Sequence, residues 1–186
     1  IPSKKISESK QLYLDKSKVN EDFSIVYPNK LFLNKKEKEL FPLSGISNME
    51  TYFCKKREKF SSYYSDRYGF NNPDYVWNEN DTDIFLIGET ISHGACEDRP
   101  DDLASQLRLH NNKVISIGYR ENESLMILGS LKEYFPQNTK KVIWIYYEGN
   151  DTDEIEYELK DQILSNYFYK KEFTQDLKNR QKEIRN

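Results

Sequence analysis

Short apolar runs alternate with helical segments in the second half of the chain. Three runs have the length of buried strands, at residues 83–87, 113–117 and 140–147. Helices are predicted at residues 100–109, 121–135, 155–163 and 173–184, the last of them polar nearly all round. Strands that alternate with helices form βαβ units. Continuous apolar strands are typical of a parallel sheet that is buried on both faces.

The first 80 residues follow no such pattern. They are rich in Lys, Ser and Asn, but β-rich runs at residues 51–54 and 60–65 predict a hairpin or two extended passes of the chain. Residues 66–74 are turn-forming types throughout. We therefore predict an α/β protein with a three-layer α/β/α core and a parallel sheet at residues 81–186. An irregular N-terminal arm at residues 1–80, which carries the short β-hairpin, packs on this core.

Composition narrows the class of protein. The 186 residues suit one ordinary domain, and the formal net charge of −3 offers no field that would attract nucleic acid. The longest apolar run, residues 142–147, is far shorter than the ~18 residues of a membrane-spanning helix. The chain begins with Ile and carries no signal pattern, so we expect a processed or trimmed chain whose compartment is unknown. We expect no cofactor, and the oligomeric state stays open.

Glycine and polar residues follow each predicted strand. Gly88-Glu89-Thr90 follows the first strand, Gly118 the second and Asn150 the third. Because the carboxyl ends of parallel strands meet at one edge of a sheet, we expect these residues to lie together. They would supply a hydroxyl, a close backbone approach and a carboxamide. This combination suits acyl transfer, which needs a nucleophile and hydrogen-bond donors for a developing oxyanion.

The same segments resemble the bacterial SGNH/GDSL hydrolases, which are three-layer α/β ester hydrolases. IFLIGETISHGAC stands where that family has a strand followed by Gly-Asp-Ser, KVISIGY at its second block and KVIWIYYEGND at its third. The preceding SDRYGFNNPD looks like the lead-in of a subgroup often found near surface-polysaccharide genes. The resemblance covers about residues 44–170.

The resemblance implies an SGNH-hydrolase or flavodoxin-like fold. It also implies an ester hydrolase or acyl-transfer function on a small-molecule or carbohydrate ester. Carried over residue by residue, it implies Thr90 at the nucleophile position, with the Gly118 N–H and the Asn150 carboxamide as oxyanion donors.

The chain departs from the family pattern at two places that matter for catalysis. Thr90 stands in place of the nucleophilic Ser and Glu89 in place of the neighbouring Asp, and the β-branched methyl of Thr crowds a tight turn. The late Asp-x-x-His of the family is absent, because the two histidines are His93 and His110. A hydroxyl without a base is a weak nucleophile. We therefore expect this chain alone to be inactive, as a C-terminally incomplete or degenerate member.

The same residues also have interpretations without catalysis. Asn150 could cap the following helix, and Thr90 could be a structural hydroxyl at the start of a helix or loop. The competing hypothesis is a non-catalytic module that binds glycan or protein and keeps the hydrolase fold. Thr in place of Ser and the missing Asp-x-x-His favour that module, whereas the three blocks favour the enzyme.

Three further features have both structural and functional interpretations. His93 and Cys96 have a zinc-like spacing, but two ligands do not make a site, so we expect no metal and a packed His93. Cys54 and Cys96 could form a bridge or stay as thiols, and we expect free thiols. One ring-rich segment could stack on sugars, but we expect its rings in the core: Tyr63, Tyr64, Tyr68, Phe70, Tyr75 and Trp77.

Overall fold

The computed structural model of the protein describes residues 23–33, 35, 37–56, 59–110, 112–146 and 155–185. The strands are β1 (Phe23–Ile25), β2 (Glu50–Lys56), β3 (Lys59–Tyr64), β4 (Thr82–Gly88), β5 (Val114–Ser116) and β6 (Thr139–Ile145). The helices are α1 (Thr90–His93), α2 (Leu103–Leu109), α3 (Ser124–Tyr134), α4 (Ile155–Glu158), α5 (Gln162–Tyr169) and α6 (Gln181–Arg185). Two 3₁₀ helices lie at Asn29–Phe32 and Asp74–Asn78.

A three-stranded parallel sheet organises the second half of the chain, in the order β5-β4-β6. Its strands coincide with the three apolar runs of the sequence, and α2 and α3 stand between them in the chain. The protein is therefore a mixed α/β protein with a small parallel sheet and helices, as the sequence predicts.

The two faces of β4 pack in two separate apolar clusters. Ile84 and Leu86 pack with Ala104 of α2 and Val114 of β5. The larger cluster, on the opposite face, contains Phe85 and Ile87 together with residues from α3, α5 and the arm. This alternation follows the two-residue period of a strand, and it explains why the run is apolar at every position.

Strand β6 differs from the prediction of a strand buried on both faces. Val142 and Trp144 leave 45% and 48% of their surface exposed, and Tyr146 beyond the strand leaves 43% exposed. On the other face of β6, Ile143 and Ile145 pack against the cluster that contains Ala104 of α2, so among the described residues only this face of the strand is partly covered. The apolar sequence of β6 resembles that of β4, and only the placement of the helices distinguishes the two strands.

The predicted hairpin is confirmed: β2 and β3 pair antiparallel. A third strand, β1, which the sequence analysis did not identify, pairs parallel to β2. We call this three-stranded unit sheet A. Its residues Phe53 and Tyr63, together with Val26 just beyond β1, pack on Tyr119, which follows the end of β5. Sheet A therefore covers one end of β5 in the parallel sheet.

The described part of the arm also contributes to the main core. Phe41, Leu43, Phe70 and Val76 are buried in the cluster that holds Phe85. Four of the six rings assigned to the core pack there or against sheet A, namely Tyr63, Tyr68, Phe70 and Trp77. The other two, Tyr64 and Tyr75, are each 60% exposed, which contradicts the prediction for them.

The predicted helix at residues 155–163 is interrupted. Helix α4 ends at Glu158, and α5 begins after Asp161, whose carboxylate accepts hydrogen bonds from the Ile163 and Leu164 N–H groups. Asp161 is thus an N-cap inside a segment whose apolar spacing is helical throughout. No helix in the described residues is long and apolar enough to cross a membrane.

The predicted helix at residues 173–184 is wrong for most of its length, because only α6 is helical. A buried carboxylate, Glu133 of α3, accepts hydrogen bonds from the Gln175 and Leu177 N–H groups and from the Tyr167 hydroxyl. Asp176 between them has a positive φ of 58°. These N–H groups therefore point to a side chain in the core rather than to helical carbonyls, a pairing that the local sequence does not encode.

Candidate functional site

The candidate site begins at the turn that follows β4. Gly88 has a φ of +141°, and a Cβ there would lie 2.5 Å from Ser92 Oγ and 2.6 Å from the Ile145 carbonyl oxygen. Only glycine fits both the conformation and the space. The chain passes through Glu89 and enters α1 at Thr90, so Thr90 lies just beyond the carboxyl end of the central strand. No described residue hydrogen-bonds to the Thr90 hydroxyl.

Gly118 lies against the same short helix. A Cβ on Gly118 would lie 2.4 Å from both the carbonyl carbon and the Cβ of Ser92. The Ser116 hydroxyl donates to the Ser92 carbonyl at 2.7 Å, and the Ser92 hydroxyl donates to the Ile87 carbonyl at 3.0 Å. The structure thus brings the exits of β4 and β5 together, with Gly118 as the point of closest approach.

The structure describes only one of the two predicted oxyanion donors, Gly118. The Gly118 N–H donates to Ser116 Oγ at 3.3 Å, so in this conformation it serves the packing of the two strand exits. Asn150 lies outside the described residues. The convergence of Thr90, Gly118 and Asn150 is therefore described for its first two members, and the roles of all three in an acyl-transfer site stay predictions.

Alanine at position 118 tests the close approach. We expect Gly118→Ala to lower the free energy of unfolding by about 2 kcal/mol, because the backbone of Ser92 cannot yield to a new methyl group. Gly129→Ala in α3 is the matched control, since its new Cβ would meet side-chain atoms of Leu43 and Tyr167 at 2.9 and 3.0 Å. Urea unfolding measures both, and an equal or smaller loss at position 118 would contradict the packing role.

His93, at the end of α1, is fully enclosed by aromatic rings. It stacks between Phe53, with ring centroids 4.2 Å apart, and Tyr119, at 4.8 Å. The Arg120 N–H donates to Nδ1 at 3.0 Å, which leaves the ring proton on Nε2, 2.7 Å from the Tyr63 hydroxyl oxygen. The packed His93 that the sequence predicts is confirmed.

Burial governs the ionisation of His93. Desolvation, with a smaller contribution from the Arg120 charge, lowers the pKa of His93 from 6.5 to about 3. Both ring nitrogens are occupied, so His93 is a neutral structural group and holds no free nitrogen for a proton transfer at Thr90. His110 is exposed and caps the C-terminus of α2 shortly before β5 begins, at the opposite edge of the sheet.

The expectation of free thiols is wrong: Cys54 and Cys96 form a disulfide, with Cα atoms 5.8 Å apart. The sequence separation of 42 residues conceals the contact, which arises because sheet A packs beside the segment that follows α1. Because its sulfur is in the disulfide, Cys96 has no thiolate to bind zinc together with His93. Within the described ranges, no three His, Cys, Asp or Glu side chains are grouped to hold a metal ion.

A buried carboxylate, Asp66, holds the turn that the sequence placed at residues 66–74. It accepts hydrogen bonds from the Tyr68 and Phe70 N–H groups, the Asn72 carboxamide and the Trp77 indole, all within 2.9 Å. Desolvation is the largest effect and raises the pKa of Asp66 from 3.8 to about 6, against the opposing effect of these donors. The residue types of this segment predict a turn, but they do not indicate that the carboxylate of Asp66 is buried.

Asn72 connects this turn to the parallel sheet. Its side-chain amide donates to the Ser116 carbonyl at 2.7 Å, and its side-chain oxygen accepts from the Ser116 N–H at 3.0 Å and from Arg108 at 2.6 Å. The carboxamide thereby satisfies both backbone groups of Ser116, as a neighbouring strand would. Asp66 and Asn72 together fix the arm to the outer side of β5.

Comparisons with known proteins return no match: no family model, no curated protein and no solved structure is similar to this chain. A functional assignment therefore depends on the residues of the site itself.

Proposed function

We propose that the chain is an SGNH/GDSL-like ester hydrolase or acyl-transfer domain of three-layer α/β/α type, whose site in this chain alone is incomplete. The observation that carries the proposal is the position of Thr90. It follows a glycine turn at the carboxyl end of the central parallel strand, where ligands collect in open α/β sheets. The substrate class is a small-molecule or carbohydrate ester.

The incompleteness follows from the histidines. His93 is buried with both nitrogens engaged, and His110 lies at the other edge of the sheet. A Thr hydroxyl without a general base is a poor nucleophile, and a positioned base contributes roughly 10²–10⁴-fold in rate. We expect no turnover of p-nitrophenyl acetate by the wild type above a buffer blank. Thr90→Ser alone should not restore it, because nucleophile and base act as a unit.

Chemical rescue tests the site itself. Imidazole in solution can replace a missing base, so Thr90→Ser with imidazole should hydrolyse the ester about tenfold faster than Thr90→Ala with imidazole. Thr139→Ser, at the start of β6 on the opposite edge, is the matched control and should behave like the wild type. Asn150→Ala in the Thr90→Ser background should abolish the rescue, since loss of an oxyanion donor costs ~10² or more.

The outcomes separate the hypotheses. If Thr90→Ser and Thr90→Ala respond equally to imidazole, the nucleophile assignment is wrong. Turnover by the wild type without imidazole would show a complete site with an unrecognised base.

A non-catalytic binding module is the second candidate function. Exposed Trp144 and Tyr146 support it, because their rings meet edge to face with centroids 5.5 Å apart at the carboxyl end of β6. Aromatic rings with an open face suit stacking on sugars. Equal imidazole responses, together with quenching of tryptophan fluorescence by an oligosaccharide that Trp144→Ala abolishes, would favour this module.

A further inference from the structure

Residues 94–99, here called the latch segment, begin where α1 ends and adopt an unfavourable backbone conformation. Gly94, Ala95 and Cys96 have φ values of +128°, +49° and +66°, so three successive residues lie in the left-handed region. Ala95 and Cys96 carry side chains that rarely adopt this conformation. Such a segment persists only where contacts outside it hold it in place.

Those contacts come from sheet A. The disulfide joins Cys96 to Cys54 of β2. Asp98 accepts hydrogen bonds from the Ser61 hydroxyl at 2.7 Å and the Ser62 N–H at 3.3 Å. Further along, Arg99 donates to the Tyr64 carbonyl at 2.7 Å. The disulfide and these hydrogen bonds thus fasten the latch segment to β2 and β3.

The latch segment is also bonded to the helix of the candidate site. The Ala95 N–H donates to the Thr90 carbonyl at 2.8 Å, and the Gly94 N–H donates to the Ile91 carbonyl at 3.1 Å. Movement of the segment would therefore release the end of α1. The clusters on the two faces of β4 contain neither cysteine. The main core does not depend on the disulfide.

We propose that the Cys54–Cys96 disulfide is a redox-sensitive latch, whose reduction by a dithiol frees residues 94–99 from sheet A while the fold around β4 persists. In the reaction, a dithiol reductant gives two electrons and two protons to the S–S bond. Two protein thiols form, and the reductant becomes a cyclic disulfide. Both cysteines are partly exposed, so a dithiol can reach them. The hydrogen bonds that remain, of which only the one from Arg99 is exposed, then act alone against an unfavourable backbone.

Hydrogen exchange with and without dithiothreitol tests the latch in the full chain. Reduction should accelerate exchange of the amides of residues 94–99 by about tenfold, with less than twofold change in β4 and α3. Alkylation with iodoacetamide, followed by mass measurement, should find no free thiol before reduction and two after it. Two free thiols before reduction would overturn the proposal. Unchanged exchange in residues 94–99, or equal acceleration in β4, would also overturn it.

Two variants sharpen the test. Cys54→Ser/Cys96→Ser should show fast exchange in residues 94–99 in either redox state. Asp98→Asn, which keeps the disulfide, should exchange like the wild type when oxidised and faster than the wild type when reduced. A large effect of Asp98→Asn in the oxidised protein would show that the hydrogen bonds, and not the disulfide, hold the segment.

Discussion

Replacing His93 with phenylalanine is expected to make stability fall as the pH rises from about 4 to 6, a window in which the stability of the wild type hardly changes. Burial lowers the pKa of His93 from 6.5 to about 3, so acid protonates the unfolded state first. The contribution of His93 is therefore complete above pH 6.5 and is lost as the pH falls towards 3. A difference of one between the pKa values of the folded and unfolded states corresponds to about 1.4 kcal/mol. The loss over the whole range is therefore roughly 5 kcal/mol.

In the wild type, the contribution of Asp66 partly offsets this loss of stability. Burial raises the pKa of Asp66 from 3.8 to about 6, so the folded state holds the proton and stability falls as the pH rises through that window. Between about pH 4 and pH 6 the two contributions have opposite signs and similar slopes, so they cancel. In His93→Phe only the Asp66 contribution remains, and stability should then fall by about 2 kcal/mol as the pH rises from 4 to 6.

Urea unfolding, followed by tryptophan fluorescence at a series of pH values, measures this fall in stability. A phenyl ring keeps the stacking with Phe53 and Tyr119 but leaves the Arg120 N–H without its acceptor, at a cost of about 1–3 kcal/mol at neutral pH. His110→Asn is the matched control, because that histidine is exposed, and its profile should follow the wild type. A His93→Phe profile parallel to the wild type would contradict the buried, neutral state of His93.

The sequence reveals the parallel sheet because each of its strands is an apolar run that ends close to a glycine or turn residue. The hairpin is equally visible, since β2 and β3 are neighbours joined by a short charged segment. In the site, the sequence identifies Gly88 and Gly118 as special positions, and the structure supplies the reason for each. These features are local, so local pattern is enough to find them.

Features that depend on distant partners stay hidden from the sequence. Glu133 and Glu158 are buried carboxylates that bind N–H groups of Leu177 and Leu125, at separations of 44 and 33 residues. Charged residues are expected on the surface, so nothing in the sequence marks these two as core groups. The disulfide and the exposure of β6 were mispredicted for the same reason. Both depend on which elements lie beside the cysteines and the strand.

The second large effect is expected at Asp66. Asp66→Asn removes the group whose pKa burial raises to about 6, and the His93 contribution then acts alone. Stability of the variant should rise by roughly 2.5 kcal/mol as the pH increases from about 4 to 6, which is opposite in sign to His93→Phe. The same urea titration measures it, and the double variant should lose both contributions.

A general loss of stability in Asp66→Asn does not obscure this result, because the test is the slope with pH and not the absolute value. An asparagine oxygen accepts fewer hydrogen bonds than a carboxylate, so some donors among Tyr68, Phe70, Asn72 and Trp77 lose their partner at every pH. Asp101→Asn, an exposed carboxylate near α2, is the matched control. If Asp66→Asn and Asp101→Asn show the same slope, Asp66 does not retain its proton in the folded state. The contact between the arm and β5 would then contain a carboxylate that is charged across this pH range.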